Sequence, residues 1–208
     1  VSVNNSGYAF IADMLTVDGI LKYMLSAGEG QIQNLNGSGN LVLENASAES
    51  AAFTMSGNAN DYSGQISVKG NTSLHVSNEF LESSSSSQIH IANGAELVTS
   101  HNMRQLIKSP HITTDESGVV TLVNTDILYL ESNVKIDKNY RIKQDNSKFT
   151  LNGYWSANKL YSLFEVCDGT SFSADCNLWI CSWLDMQIKG GSVQAEEIGL
   201  GTVDGYGT

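Results

Sequence analysis

The amino-acid sequence predicts an all-β fold, a parallel β-helix (β-solenoid) in which short strands stack as successive coils. The clearest strands are residues 65–68 and 73–76, where apolar side chains occupy every second position. Such alternation places the apolar side chains on one face of an extended strand, because successive side chains point to opposite sides. Gly70 and Asn71 lie between the two runs, and both residue types tolerate the backbone of a tight turn. We expect the coil to be right-handed.

The second observation is that this strand–turn–strand unit recurs. Moving 23 positions along the chain (89 − 66) brings Ile89 onto Ile66 and Leu97 onto Leu74. The run at residues 86–100 therefore repeats an earlier one. A repeat near this length, with strands and turns but no helical period, is typical of a β-solenoid.

The first segment, residues 1–30, is predicted to be a short N-terminal cap. Its apolar residues fit two short elements on either side of Asp18 and Gly19, a pair that favours a hairpin turn. Strands are slightly favoured over helices, although the apolar spacing also fits helices. A cap would cover the strand edges and the apolar core that an open solenoid exposes.

Residues 31–208 are predicted to form the solenoid as a single domain, which we expect to be a fragment of a longer chain. Strand patterns recur at residues 31–35, 40–44, 52–56, 65–69, 73–77, 88–92, 95–99, 118–123, 126–130, 134–136, 140–143, 148–152, 162–166, 178–183, 186–189 and 192–195. Residues 83–87 are all serine and are interpreted as a flexible polar loop. Residues 101–117 break the strand rhythm, and residues 153–165 are predicted to leave the solenoid. Within residues 127–130 the pattern does not decide which alternate pair faces the core.

The composition argues against several classes of function. The 208 residues carry a formal charge of −11 with a pI near 4.6. Nucleic acids and anionic membranes both require basic protein surface, so neither is an expected partner. No apolar run approaches the roughly 20 residues of a membrane span. Charged residues make up only 16% of the chain, below the roughly 25% of ordinary globular proteins, as is typical of exported surface proteins.

Basic residues cluster late in the chain. The cluster is Lys135, Lys138, Arg141, Lys143 and Lys148. We interpret it as a solvated strand face with counter-charges, and a binding patch for an acidic glycan is the alternative.

Part of the chain resembles a known family. The segments that carry the resemblance are Asn36-Gly37-Ser38-Gly39-Asn40-Leu41-Val42-Leu43, Phe53-Thr54-Met55-Ser56-Gly57, the turn Tyr62-Ser63-Gly64, and the strands Ile66-Ser67-Val68 and Leu74-His75-Val76. In this order they resemble the passenger-associated transport repeat of bacterial autotransporter and related surface adhesin proteins. The resemblance covers about residues 31–99.

This resemblance implies an exported bacterial protein, secreted or held at the cell surface, of which the chain is a passenger segment. It implies a module for adhesion or structural display rather than an enzyme. The expected partners are host or matrix glycans or proteins, and end-to-end or edge self-association is a further hypothesis.

The strongest candidate for a binding site is a group of aromatic residues, namely Tyr154, Trp155, Tyr161, Trp179 and Trp183. All three tryptophans of the chain belong to it, and sugar rings stack on aromatic faces. The alternative is a packed junction between coils.

The cysteines lack the spacing of a zinc site. In an oxidising compartment we predict a local bridge between Cys167 and Cys176, which leaves Cys181 over. The alternative is that all three are buried small hydrophobic residues. We predict no metal site and no cofactor.

The sequence shows no convergent catalytic group. It has no Gly-x-Ser-x-Gly nucleophile motif, and His75 and His90 are expected to point outward. Arg104 and Arg141 are not accompanied by clustered aspartates, which a solenoid polysaccharide lyase would need for calcium. A non-enzymatic module is therefore favoured. A carbohydrate-active β-helix enzyme, a polysaccharide lyase or glycoside hydrolase, is the alternative, since solenoids host both classes.

Overall fold

The computed structural model describes residues 2–5, 10–45, 47–100, 106, 111–123, 127–130, 133–143, 148–153, 162–181 and 183–201. It shows a β-solenoid of stacked coils, in which 65% of the chain forms mostly parallel strands and almost none forms helix. The predicted fold class, an all-β parallel β-helix, is therefore confirmed. The right-handedness of the coil stays a prediction.

Twenty-two strands follow one another along the described chain. They are β1 (Ser2–Asn5), β2 (Phe10–Thr16), β3 (Ile20–Leu25), β4 (Gly28–Asn36), β5 (Asn40–Asn45), β6 (Ala51–Met55), β7 (Gln65–Gly70), β8 (Thr72–Val76), β9 (Gln88–Ile91), β10 (Glu96–Thr99), β11 (Ile112–Thr114), β12 (Val119–Val123), β13 (Ile127–Leu130), β14 (Val134–Ile136), β15 (Asn139–Lys143), β16 (Lys148–Gly153), β17 (Ser162–Val166), β18 (Ser171–Ala174), β19 (Asn177–Cys181), β20 (Leu184–Ile188), β21 (Ser192–Gln194) and β22 (Ile198–Gly201). One helix, α1 (Asn78–Ser83), and one 3-10 turn, Ser84–Ser86, lie between β8 and β9.

The chain divides into two compact units. The first comprises residues 1–101 and 109–120, and the second comprises residues 102–108 and 121–208. In the first unit each coil contributes two strands, to sheets ordered β1-β3-β5-β7-β9-β11 and β2-β4-β6-β8-β10. In the second unit each coil contributes three strands, to sheets ordered β13-β16-β19-β22, β14-β17-β20 and β15-β18-β21. The division at residue 30 into a cap and a single solenoid domain stays a prediction.

The offset of 23 positions seen in the sequence is the strand register of several neighbouring coils in the first unit. Ile66 pairs with Ile89 between β7 and β9, and Leu74 pairs with Leu97 between β8 and β10. All four side chains are fully buried. Stacking like residues between coils removes apolar surface from water, which is worth ~25 cal/mol per Å². This stacking, rather than local propensity, holds the strands in register.

A buried tyrosine and two glycines set the turn before β7. Tyr62 is fully buried, and its hydroxyl lies 2.8 Å from the carbonyl oxygen of Gly39 and 2.9 Å from that of Gln65. Burial raises the pKa of Tyr62 to about 12. An added Cβ at Gly64 would overlap the carbonyl oxygen of Gly39. The two coils therefore approach too closely for a side chain at this position.

The serine-rich run at residues 83–87 is an ordered turn, so its interpretation as a flexible loop was wrong. Ser77 caps α1 by accepting a hydrogen bond from the Phe80 amide at 3.1 Å, and Phe80 is fully buried. The hydroxyl of Ser87 donates to the carbonyl of Ser84 at 2.7 Å, and both serines are fully buried. Local hydroxyl–backbone bonds let these side chains enter the interior without unpaired polar atoms.

The remaining outcomes concern strands. β2 and β3 flank Asp18 and Gly19, so the strand interpretation of this segment is confirmed. The hairpin turn expected there was wrong, because the two strands belong to different sheets and pair in parallel with β4 and β5. Leu128 and Leu130 are the buried pair of β13. Four strands were missed, β1, β11, β18 and β22, because they are short and carry one or two large apolar residues each. β11 lies within the stretch 101–117 that was expected to break the rhythm.

Candidate ligand-binding face

Trp179 lies on the outer side of the sheet β13-β16-β19-β22. Its neighbours in β19, Leu178 and Ile180, pair with β22 residues and point to the opposite side of the strand, where Leu178 is fully buried. Trp179 itself is 36% exposed. Trp179 is therefore partly exposed and partly packed against the next coil, and the choice between a binding group and a packed junction stays a prediction.

The backbone of β22 supports the indole ring. Trp179 pairs with Gly199, and Cys181 pairs with Gly201. An added Cβ at Gly199 would lie 3.0 Å from Cε2 of the indole, and one at Gly201 would lie 2.9 Å from Cζ3. The two glycines thus leave the space in which the aromatic ring lies against the next strand.

A lysine lies over the same ring. The Lys148 Nζ is 4.8 Å from the centroid of the Trp179 ring, within the range of a cation–π interaction. Lys148 is in β16 and pairs with Asn177, so it comes from the preceding coil. We call this surface the Trp179 face, and it consists of Lys148, Thr150, Asn152, Asn177, Trp179, Cys181, Gly199 and Gly201.

Part of the Trp179 face is buried. Thr150, Asn152 and Cys181 are each less than a tenth exposed. Burial raises the pKa of the Cys181 thiol, while the Lys148 charge acts in the opposite direction. The Asn152 Oδ1 is buried with no hydrogen-bond partner in the described part of the chain. Only the Trp179 and Lys148 end of the face is therefore open to a ligand as it stands.

Of the other four predicted aromatic residues, the structure describes Trp183. Trp183 lies on the turn before β20 and is 40% exposed. Tyr154, Trp155 and Tyr161 lie outside the described residues. The sequence grouped these five by proximity along the chain, and for Trp179 the described structure shows a platform of two glycines and a lysine.

The three cysteines are present as thiols. Cys167 lies beside the beginning of β18, where the Thr170 amide donates to its carbonyl at 3.2 Å, and Cys176 follows the end of that strand. Four extended residues span roughly 13 Å, whereas a disulfide requires its Cα atoms within about 7 Å. A Cys167–Cys176 bridge would thus require the backbone to move, and it stays a prediction.

Three residues of the basic cluster, Lys135, Lys138 and Arg141, are paired with carboxylates, although the buried Lys138 does not lie on a solvated face. Arg141 contacts Asp175 with its Nε at 3.0 Å and its Nη2 at 2.6 Å from Oδ2. The Lys138 Nζ lies 2.7 Å from an oxygen of the adjacent Asp137.

A second charged group was not foreseen from the sequence. Glu165 in β17 is only 4% exposed, and the Lys135 Nζ lies 2.8 Å from its Oε1 while the Lys189 Nζ lies 2.5 Å from its Oε2. These two lysine contacts lower the pKa of Glu165 from its ordinary 4.5 to about 2. The Cys167 thiol lies 3.7 Å from Oε1, and its pKa is raised mainly by burial.

One histidine, His90, has side-chain contacts that the sequence did not suggest. His75 is exposed, as expected. The Nδ1 of His90 lies 3.1 Å from Thr113 Oγ1, and its Nε2 lies 3.3 Å from Asp115 Oδ1. His90 pairs with Thr113 in register, so the offset of 23 positions was the available signal.

No set of three or more His, Cys, Asp or Glu side chains within the described ranges is grouped to hold a metal ion. Over the same ranges no helix has the length and apolar character needed to cross a bilayer. The absence of a cofactor stays a prediction.

The fold defines the chain as a β-solenoid protein. A scan against models of protein families, a search of curated proteins and a search of solved structures found no match. The likeness to the passenger-associated transport repeat therefore stays a prediction based on the residues that carry it.

Proposed function

We propose that the chain is a non-enzymatic surface module of an exported, autotransporter-like bacterial passenger that serves adhesion or structural display. The observation that carries the adhesion part is the Trp179 face, an aromatic ring held on a regular sheet with a lysine beside it. Aromatic platforms of this kind offer a sugar ring a preformed surface, so little ordering is needed on binding.

The regularity of the coils supports a role in display. In the first unit, side chains tie each coil to the next at the turns. The Asn34 Oδ1 accepts bonds at 3.1 Å from both the backbone and the side-chain nitrogen of Asn58, and the Asn93 Oδ1 accepts from the Ser117 amide at 2.9 Å. A solenoid fixed in this way presents its outer faces at constant spacing, which suits contacts that are individually weak and repeated.

The charges support a non-enzymatic role. Glu165 is the most buried carboxylate described, and both of its oxygens are engaged by lysines. With a pKa lowered to about 2 it cannot act as a general acid near neutral pH. Arg141 is likewise bound to Asp175, which leaves it poorly placed as the base of a lyase.

The test is incubation of the protein with a panel of neutral and acidic polysaccharides, with binding and product formation measured in parallel. We expect binding without turnover, weakened by Trp179→Ala and unaffected by Lys69→Ala, a substitution in the first unit. Release of reducing ends or unsaturated products, lost on Arg141→Ala, would replace the proposal with the carbohydrate-active enzyme.

The proposed export is tested by the sequence of the full gene. A β-barrel translocator or a surface-anchoring signal in the same reading frame would support the passenger assignment. A complete gene of this length whose product stays in the cytosol would overturn it.

A further inference from the structure

We infer that the Trp179 face selects saccharides that carry an acidic group next to the stacked ring, and that Lys148 makes the selection. This inference rests on the proposed adhesive function and specifies its ligand class. It begins from one fact of geometry, namely that the ammonium group lies over the ring that a sugar must cover.

The two sides of the indole ring are not equivalent. One side lies against the backbone of β22, where Gly199 and Gly201 leave room for it. A ligand therefore has to approach from the other side, which faces solvent. The Lys148 Nζ, 4.8 Å from the ring centroid, comes from the coil on the opposite side of β19. A sugar ring that stacks on Trp179 must displace this ammonium group or share the ring with it.

Displacement has a different consequence for neutral and for acidic sugars. A neutral sugar removes the ammonium from the aromatic ring and offers it only a hydroxyl group. A carboxylate or a sulfate next to the stacked ring offers a charge-assisted hydrogen bond in exchange, which is stronger than the cation–π contact of an exposed pair. Lys148 thus acts against neutral ligands and for acidic ones, which is how specificity commonly arises.

The net charge of the protein does not favour acidic ligands, so a preference for them has to be a local effect. The chain carries a formal charge of −11, so its overall field repels polyanions rather than attracting them. The exposed Glu197 immediately precedes β22, and its carbonyl accepts a bond from the Leu178 amide at 2.8 Å. Its carboxylate adds negative charge next to β22. Lys148 is the cation that the described structure places over the Trp179 ring, so we assign the preference for acidic sugars to it.

The experiment compares ligands that differ only in the acidic group. Titration calorimetry would use an oligogalacturonate and its methyl ester, and a sulfated oligosaccharide and its desulfated form. We expect the acidic member of at least one pair to bind about tenfold more tightly, equivalent to about 1.4 kcal/mol. The pair that shows the difference identifies a carboxylate or a sulfate as the recognised group.

Three variants separate the roles of the side chains. Lys148→Ala should abolish the preference while neutral forms bind as well or better, and Lys148→Arg should preserve it. Trp179→Phe, which keeps an aromatic ring in case Trp179→Ala disturbs β22, should weaken both members of a pair alike. Lys143→Ala, an exposed lysine in a different sheet, is the matched control and should change nothing.

The outcomes distinguish the two proposals. Equal binding of acidic and neutral forms, or a preference that survives Lys148→Ala, overturns the inference and leaves adhesion intact. Binding that Trp179→Phe does not weaken overturns the inference and moves the adhesive site elsewhere. No binding of any ligand overturns the inference and leaves only structural display, and turnover overturns the proposed function itself.

Discussion

The coils of the two units differ in their number of strands. Coils of the first unit have two strands, and those of the second have three. Coil length varies little in the first, from 20 positions where Ile20 pairs with Asn40 to 25 where Asn40 pairs with Gln65. It varies in the second, where Tyr140 pairs with Phe172, 32 positions on, and Phe172 with Val193, 21 positions on.

The two units, which differ in the regularity of their coils, also differ in the side chains that they carry. The first unit is tied together by repeated backbone and asparagine contacts. The second unit contains the Trp179 face, the buried Glu165 with its lysines and the three cysteines. Uniform coils thus supply the frame, and irregular coils carry the side chains that could recognise a ligand.

The largest effect is expected from glycines at which neighbouring coils touch. It tests whether the coils within the first unit and the coils within the second unit are packed equally tightly. An added Cβ would overlap the carbonyl oxygen of Gly39 in Gly64→Ala and that of Trp183 in Gly153→Ala. Each variant should lose about 3 kcal/mol in urea unfolding, because neither obstacle is a movable side chain. Gly19→Ala, with open space around the added atom, is the control. If only one of the two variants is destabilised, the coils around the other glycine can move apart to accommodate the added methyl group.

The next effect concerns the hydroxyl of Tyr62, which has contacts specific to the first unit. Tyr62→Phe leaves the buried carbonyls of Gly39 and Gln65 without this donor, so a loss of about 1–2 kcal/mol is expected. Because the pKa of Tyr62 is raised from 10.0 to about 12, its contribution should be complete below pH 10. It should disappear as the pH rises through about 12. A difference between wild type and variant that is unchanged above pH 12 would contradict this account.

A smaller effect on the free energy of unfolding is expected for the second unit at low pH. The pKa of Glu165 is lowered from 4.5 to about 2 by Lys135 and Lys189, so its contribution is present above pH 4.5 and is lost as the pH falls towards 2. Unfolding of wild type and Glu165→Gln should therefore converge near pH 2. Gln88→Ala, which removes an uncharged side chain at an exposed position of the first unit, should run parallel to wild type throughout. Parallel curves for Glu165→Gln would mean that the lysines do not hold the carboxylate.

The smallest change in stability is expected beneath Trp179. Gly201→Ala places a Cβ 2.9 Å from the indole, and the ring can tilt away, so the loss should be about 0.5 kcal/mol or less. The tilt should still alter Trp179 fluorescence, measured against Trp179→Phe, and weaken saccharide binding. An unchanged spectrum together with unchanged binding would show that the glycines do not position the ring.

The sequence predicted the first unit better than the second for a physical reason. Register can be read directly when coils have equal length, and the pairs Ile66–Ile89 and Leu74–Leu97 follow from a single offset. No constant offset exists between β15, β18 and β21, so the three-stranded cross-section could not be deduced. The short strands β11, β18 and β22 form because neighbouring coils supply partners, which local patterning does not contain.

The candidate site, too, could be predicted from the sequence only in part. An outward Trp179 follows from alternation in β19, whereas its contact with Lys148 depends on a register that the sequence did not reveal. The Glu165 contacts join residues of β14, β17 and the turn after β20. Charge pairs between coils of unequal length cannot be found from spacing alone.

The unequal coil lengths have a consequence for how such a protein can change. Tyr140 and Phe172 remain partners, and both stay buried, although the chain between them is half as long again as that from Phe172 to Val193. The stacked core therefore places few constraints on the length of the connections that leave it, and loop closure becomes only slowly costlier as segments lengthen. Peptides could be grafted at turns of the second unit, and natural insertions there could create new recognition sequences while the scaffold beneath them is inherited unchanged.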